Sequence, residues 1–147
     1  TVLISFSKIL ISKGFEIMPE SIGISPKGWK RGGQIIRIIP DKVSQGKTTL
    51  VPMFSLYAKR EGQETLLVEL AKKNKMEPID FVRNKILEPF FQNWADWAVK
   101  GSVVMEAHAQ NFLMEIDMQG VPTGKFIHRD MGGFNIDGDS KLFDKKF

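Results

Sequence analysis

A chain of 147 residues is long enough to form one domain around its own hydrophobic core. Hydrophobic residues at 42% and charged residues at 26% are close to globular averages and indicate neither a disordered chain nor a membrane protein, and the absence of cysteine excludes disulfides and a cysteine nucleophile. The net charge of +4 favours anionic partners, but the cations stand among turn residues rather than in a dense run, so we predict neither a nucleic-acid nor a membrane partner.

The first 60 residues predict one helix followed by strands. Apolar residues at helical spacing predict an amphipathic helix over residues 2–13, ended by a glycine. Apolar runs bounded by turn residues predict strands at 16–24 and 34–40. A further strand is predicted at 48–58, although Pro52 weakens it because proline cannot donate a backbone hydrogen bond.

Two helical regions follow. A short helix is predicted at 63–73, with acidic residues near its start and lysines near its end, as the helix dipole favours. A longer helical region is predicted at 78–100, and Pro89 inside it predicts a kink or a break. Its aromatic stripe includes Trp94 and Trp97, which we assign to the core and not to a cofactor site.

Residues 111–130 are predicted to form a β-hairpin. The stretch "NFLMEID" alternates apolar and polar side chains as a strand with one buried face does, "MQGVPTG" supplies turn residues, and "KFIHRD" returns. We expect Ile116 to pair with Phe126 and Asp117 with Lys125. This register matches apolar to apolar side chains and acid to base.

The hairpin predicts a cation site at its open end. It should bring Asn111 and Asp130 to within about 5 to 8 Å of each other, and Glu106 adds a second carboxylate upstream. Such oxygen ligands suit Mg²⁺, which takes one or two protein carboxylates and completes its shell with water and substrate phosphate. Zinc is less favoured, because the two histidines, His108 and His128, lie on different strands without a third ligand.

The segment "EAHAQN" at 106–111 brings several polar groups together. One helical turn would point His108 and Asn111 the same way, whereas an extended segment would place Glu106, His108 and Gln110 on one face. Either geometry predicts a polar binding site. Taken singly, each residue is also compatible with capping a helix or closing a turn, and we assign His128 a structural role.

These residues resemble a known family. "EAHAQN", "LMEID", a Gly-Val-Pro turn and "FIHRDMGG" are similar to the signature of the IucA/IucC-type siderophore synthetases, which are independent of peptide-synthetase assembly lines. Met131 replaces the usual aromatic residue of that pattern, and the polar residues are retained. The resemblance implies a hand-like fold of which this stretch is the palm. We therefore expect an α+β fold with an antiparallel, palm-like sheet, flanking helices and the site on the hairpin at about 111–130.

The resemblance also implies an ATP-dependent ligase of iron acquisition. A carboxylate of citrate or a related polycarboxylic acid attacks the α-phosphorus of ATP, which gives an acyl-adenylate and pyrophosphate. An amine or alcohol then displaces AMP and forms an amide or ester. The implied cofactors are ATP and Mg²⁺, and the parent protein can be a homodimer. The absence of cysteine fits a reducing cytoplasm as the location.

Matched position by position, the resemblance assigns roles to the polar residues. His108 would orient the carboxylate and the α-phosphate, and Arg129 would neutralise charge or brace the site. The nucleotide-binding residues would be His108, Gln110 and Asn111. The ligands of Mg²⁺ or of its waters would be Glu106, Asn111 and Asp130.

Other parts of the family pattern are not evident. The amino-terminal half and the thumb of these enzymes are not found in the 147 residues, so we expect residues 1–147 to be a single domain from a larger synthetase and to be inactive alone. One alternative is a non-catalytic fragment that binds nucleotide or metal. Another is a kinase-like phosphotransferase, which would release ADP instead of pyrophosphate.

Overall fold

The computed structural model describes residues 8, 10–12, 14–24, 27, 33–59, 61–130 and 134–137. Predictions made for other positions, including most of the helix at 2–13 and the glycines of "DMGG", lie outside these residues. The described part of that helix is helical and ends as expected. The Gly14 N–H bonds the Ile11 carbonyl at 2.9 Å, the Phe15 N–H bonds the Leu10 carbonyl at 3.1 Å, and Gly14 has a φ of +85°. This is the Schellman pattern of a helix end.

The described strands pair in three small antiparallel sheets. They are β1 (Glu20–Ile24), β2 (Gln34–Arg37), β3 (Thr48–Pro52), β4 (Val103–Met105), β5 (Phe112–Asp117), β6 (Pro122–His128) and β7 (Phe134–Ile136). The first sheet is a β1–β2 ribbon, the second has the order β3–β5–β6, and the third pairs β4 with β7. The predicted α+β fold is confirmed.

Helices occupy the stretches between the sheets. They are α1 (Asp41–Ser44), a 3₁₀ helix (Met53–Tyr57), α2 (Leu66–Lys73), α3 (Pro78–Phe81), a π-helical segment (Val82–Leu87) and α4 (Glu88–Gly101). The π-helical segment ends at Leu87, and Pro89 is the second residue of α4, a first-turn position where its missing N–H costs no intrahelical hydrogen bond. No described helix is long and apolar enough to cross a membrane.

The strand predicted at 48–58 is wrong in its second half. β3 ends at Pro52, which pairs with Leu113 at the outer edge of the sheet, and the chain then turns into the 3₁₀ helix. Proline is tolerated on an edge strand but favours the end of pairing, because it has no N–H to donate. The apolar run at 48–58 therefore contributes to two elements, β3 and the 3₁₀ helix, instead of one strand.

The core lies between the β3–β5–β6 sheet and the helices α2 to α4. The ring of Phe90 from α4 lies 4.8 Å from that of Phe112 and 5.6 Å from that of Phe126. Trp97 is buried against Phe15, with ring centroids 4.5 Å apart. The largest fully buried side chains are Trp97, Phe81, Phe112, Phe126, Leu10, Leu56, Met114, Ile127, His128 and Val103. The core assignment of Trp97 is thus confirmed.

The β5–β6 hairpin forms where predicted, but in another register. Phe112 pairs with His128 and Met114 with Phe126, whereas Ile116 pairs with Pro122, because β6 contains an irregularity between Phe126 and Pro122. The predicted pairing of Ile116 with Phe126 is therefore wrong.

A tight turn causes the difference. The Asp117 carboxylate accepts hydrogen bonds from the backbone N–H groups of Gln119 at 2.9 Å and Val121 at 2.8 Å. Asp117 is thus committed to closing the turn, and Lys125 instead forms an ion pair with Glu16 at 2.6 Å. The predicted pairing of Asp117 with Lys125 is also wrong, because side-chain capping of the turn replaces it.

Strand β5 is buried on both faces in its first half, not on one face as predicted. Leu113 and Glu115 are as inaccessible as Phe112 and Met114. The Glu115 carboxylate accepts hydrogen bonds from the hydroxyls of Thr123 at 2.9 Å and Thr48 at 3.4 Å. This central strand therefore holds a buried acid that hydroxyls of both neighbouring strands satisfy.

The β1–β2 ribbon exposes apolar side chains. Ile22 pairs with Ile36 across the ribbon, and both are about half exposed, as are Ile24 and Ile35. Two-stranded ribbons are marginally stable alone and are normally covered on their apolar face. The apolar side chains of the ribbon are therefore left open to solvent in the described structure.

Candidate functional site

The segment between β4 and β5 forms a compact turn, so the extended one of the two predicted geometries is wrong. The His108 N–H bonds the Glu106 carbonyl at 2.8 Å, and the Asn111 N–H bonds the His108 carbonyl at 2.8 Å. We call residues 106–111 the site loop. It starts beside α4, where the Trp94 Nε1–H donates to the Met105 carbonyl at 3.4 Å. Helix and sheet thus hold the two ends of the loop.

His108 is exposed and its tautomer is set by the loop. Its Nδ1 accepts a hydrogen bond from the backbone N–H of Gln110 at 3.3 Å. A ring nitrogen that accepts carries no proton, so the neutral imidazole has its proton on Nε2. His108 can therefore offer an N–H donor to a ligand at the surface.

The other polar side chains of the site loop also lie at the surface. Glu106 and Gln110 are exposed and Asn111 is half-buried. Their carboxylate and carboxamide groups make no hydrogen bond to any residue in the described ranges. A carboxylate, an imidazole and two carboxamides are thus available to a ligand within one turn of chain.

Arg129 joins the hairpin end to the site loop. Its backbone N–H donates to the Asn111 carbonyl at 2.9 Å, and its Nε–H donates to the Gln110 carbonyl at 2.8 Å. No described residue accepts a hydrogen bond from its Nη groups. The expected neighbour of Asn111 was Asp130, but the residue opposite Asn111 is Arg129 and Asp130 is the next one along the chain. Asp130 has a φ of +70°, a left-handed conformation that is uncommon for a residue other than glycine.

The predicted metal ligands do not form a dedicated cage. Within the described residues, no group of three or more His, Asp or Glu side chains is placed to hold a metal ion. The predicted set of Glu106, Asn111 and Asp130 contains two carboxylates and one amide oxygen. This inventory fits Mg²⁺, which needs only one or two protein carboxylates when phosphate and water complete its shell. The metal site remains a prediction.

His128 lies under the site and is buried at 2% exposure. Its ring centroid is 4.6 Å from that of Phe112 and 4.7 Å from that of Phe134, and its Nδ1 has no hydrogen-bond partner among the described residues. Burial lowers the pKa of the imidazole from 6.5 to about 4, although a backbone hydrogen bond and the charge of Asp130 oppose that shift. His128 is therefore neutral near pH 7, which agrees with a structural role.

The site loop has a neighbour that sequence analysis missed. The Phe54 N–H, in the 3₁₀ helix, donates to the Ala109 carbonyl at 3.2 Å. Phe54 and Tyr57 are both exposed. The run of large apolar residues after Pro52 is the one signal in the sequence for this neighbour, and it equally fits the strand predicted at 48–58.

Two surface cavities lie elsewhere. One of about 260 Å³ is lined by Phe15, Glu16 and α4, and one of about 620 Å³ by the end of α2 and the start of α3. Neither contains a predicted site residue. The charges beside the first are already paired, because Lys100 bonds Asp96 at 2.8 Å and Lys125 bonds Glu16.

Comparison with known proteins relates the chain to siderophore synthetases by fold. The sequence matches no family model and no curated protein. The petrobactin biosynthesis protein AsbB from Bacillus anthracis str. Sterne is similar with a TM-score of 0.65 and 18% identity, over 91% of this chain and 25% of AsbB. Aerobactin synthetase IucC from a hypervirulent pathotype of Klebsiella pneumoniae is similar with a TM-score of 0.58 and 17% identity, over 74% of this chain and 19% of IucC. ATP-bound aerobactin synthetase IucA from the same pathotype has a TM-score of 0.57 and 18% identity, over 90% of this chain and 26% of IucA.

The described structure thus spans between 19% and 26% of the length of these proteins. At this level of identity the comparison concerns the fold, and it confirms the resemblance that the motifs predicted. The chain has the fold of a segment of the IucA/IucC-type siderophore synthetases.

Proposed function

We propose that this chain is part of an ATP- and Mg²⁺-dependent siderophore synthetase. The enzyme would adenylate a carboxylate of citrate or a related polycarboxylic acid and join it to an amine or alcohol. The observation that carries the proposal is the site loop, which presents Glu106, His108 and Gln110 at the surface and is bonded to Arg129. The shared fold, which includes ATP-bound IucA, supports it.

The inventory of the loop suits nucleotidyl transfer. In the first step an acid oxygen bonds to the α-phosphorus of ATP, and the bond from that phosphorus to pyrophosphate breaks. In the second, the amine or alcohol attacks the acyl carbon and AMP leaves. Both steps need positioning and neutralisation of oxyanion charge more than covalent help from the protein. The Nε2–H of His108 would donate to a carboxylate or phosphate oxygen, and the Nη groups of Arg129 would neutralise charge.

Glu106, Asn111 and Asp130 would hold Mg²⁺ or its waters. The ion would supply charge neutralisation at the phosphates when bound. Of these three residues, Asp130 has a position that is set by its backbone. It follows Arg129, which is bonded to the site loop, and its left-handed φ sets the direction in which the chain leaves β6.

We further propose that residues 1–147 form one domain of a longer protein. The described structure spans about a quarter or less of the length of the synthetases with the same fold. The half-exposed isoleucines of the β1–β2 ribbon, such as Ile22 and Ile36, are the kind of surface that further chain would cover.

The test is the reaction of the full-length protein with ATP, Mg²⁺ and a panel of polycarboxylic acids. We expect pyrophosphate release that depends on the acid, and a hydroxamate product when hydroxylamine replaces the natural amine. Release of ADP in place of pyrophosphate would instead identify a kinase-like phosphotransferase. Binding of ATP without turnover of any acid in the presence of amines and alcohols would identify a non-catalytic module.

A further inference from the structure

The 3₁₀ helix between β3 and α2 presents two aromatic rings on one face. A 3₁₀ helix has three residues per turn, so side chains three apart lie one above the other. Met53 and Leu56 form the inner face, where Leu56 is fully buried and Met53 packs against the core. Phe54 and Tyr57 form the outer face and are 49% and 71% exposed. We call this pair of rings the aromatic platform.

The platform is fixed to the core and to the site loop. The Ser55 hydroxyl donates to the Pro52 carbonyl at 2.6 Å, which closes the first turn of the 3₁₀ helix. The Phe54 N–H donates to the Ala109 carbonyl, between His108 and Gln110. A backbone hydrogen bond therefore connects the 3₁₀ helix that carries the two exposed rings to the site loop. The rings themselves are not part of the buried core.

We propose that Phe54 and Tyr57 form the stacking surface for the adenine base of the nucleotide. This inference rests on the proposed function and adds the subsite for the base. A planar base stacks on aromatic side chains, and because the ribose joins base and phosphates, the stacking surface must lie within one nucleotide's length of the groups that hold the phosphates. The anionic acid and the phosphates call for positive charge, which two uncharged rings do not offer. The base is therefore the part of the substrates whose chemistry matches the platform.

The experiment separates base recognition from phosphate recognition. Binding of ATP and of inorganic tripolyphosphate, each with Mg²⁺, is measured on the full-length protein and on Phe54→Ala. We expect Phe54→Ala to weaken ATP binding by about tenfold or more, the scale of losing one stacking contact, and to leave tripolyphosphate binding unchanged. Phe54→Trp should retain ATP binding, because it keeps an aromatic face.

A matched control is Phe91→Ala, which removes a phenylalanine on α4 that is 60% exposed, and it should leave ATP binding unchanged.

Equal ATP affinity of the wild type and of the double variant Phe54→Ala, Tyr57→Ala would overturn the inference while the proposed function stands. Equal loss of ATP and tripolyphosphate binding in Phe54→Ala would also overturn it, because the ring would then support the loop and not the base. A wild-type protein that binds tripolyphosphate but not ATP has no base subsite and overturns it too. Absence of binding of both ligands to the wild type would refute the proposed function itself.

Discussion

The backbone N–H of Arg129 donates a hydrogen bond of 2.9 Å to the carbonyl oxygen of Asn111. This bond extends the β5–β6 pairing by one step beyond Phe112 and His128. The Nε–H of the same arginine holds the Gln110 carbonyl. Arg129 therefore uses its main chain and its side chain to fix the end of the site loop to the end of the hairpin.

Replacement of Arg129 by lysine separates bracing from charge neutralisation. Lysine keeps the positive charge, but it has a single ammonium group. It cannot bond the Gln110 carbonyl as the arginine Nε–H does and at the same time offer two further nitrogens to a ligand. We expect Arg129→Lys to lower kcat/KM for pyrophosphate release by about tenfold, as the loss of one charge-assisted hydrogen bond predicts. Activity of Arg129→Lys equal to wild type, with Arg129→Ala inactive, would show that the charge alone matters.

Replacement of Asp130 by asparagine tests the proposed metal ligand. The change removes one negative charge and keeps the shape of the side chain. We expect acid-dependent pyrophosphate release to fall by at least about a hundredfold, the scale of losing a charge-stabilising group in an active site. Asp80→Asn, on the exposed start of α3, is the control and should be neutral. Activity of Asp130→Asn within about threefold of wild type would remove Asp130 from the site.

The strands of the hairpin could be predicted, but its register could not. Alternation of apolar residues identifies a strand whatever lies beside it, and Phe112 and Met114 do face the core. The register depends on the turn, where the Asp117 carboxylate bonds two backbone amides. It also depends on Glu16, which pairs with Lys125 from a distant part of the chain. Pairwise matching of charges within the hairpin cannot account for either contact.

The polar residues of the site were likewise predictable by type, but their surroundings were not. The concentration of His108, Gln110 and Asn111 in one short segment was visible in the sequence. The position of Phe54 beside Ala109 was not, because a strand and a 3₁₀ helix cannot be distinguished in a short apolar run that contains a proline. The neighbour of a loop depends on tertiary packing, which local pattern does not encode.

The role of Asp117 in the turn predicts a cost for its removal. Asp117→Ala leaves the N–H groups of Gln119 and Val121 without their shared acceptor. We expect the free energy of unfolding to fall by about 1 to 2 kcal/mol, as for other side-chain caps of backbone amides. Asp117→Asn retains an oxygen acceptor and should lose less. Equal losses for the two variants, measured by urea denaturation, would show that the acceptor does not hold the turn.

The buried imidazole of His128 predicts a loss of stability in acid. Its pKa is about 4 in the folded protein and 6.5 in an accessible histidine, so the unfolded chain binds a proton first as the pH falls. The contribution of His128 is therefore fully present above pH 6.5 and is lost progressively down to pH 4. The difference corresponds to about 3 kcal/mol. Urea denaturation between pH 7.5 and 4, without added metal, measures it.

The two histidines provide a matched comparison for this pH dependence. His128→Phe keeps an aromatic ring in the buried position and should remove most of the stability loss between pH 6.5 and 4. His108→Gln changes the exposed histidine and should leave the loss unchanged. If the pH profiles of wild type and His128→Phe have the same slope, the acid sensitivity belongs to the carboxylates instead.

The close contact between Gly101 and Phe15 predicts that a single added methyl group destabilises the core. A Cβ at Gly101, the last residue of α4, would lie 2.7 Å from Cζ of Phe15, whose ring packs against Trp97 and cannot easily move aside. Alanine in a helix normally gains about 1 kcal/mol over glycine, so a net loss would isolate the steric cost. We expect Gly101→Ala to lower the free energy of unfolding by about 1 to 2 kcal/mol. Gly23→Ala, in β1 with open space around it, should be close to neutral. A stabilised Gly101→Ala variant would mean that Phe15 yields, and that the junction between α4 and the amino-terminal segment is looser than the contact implies.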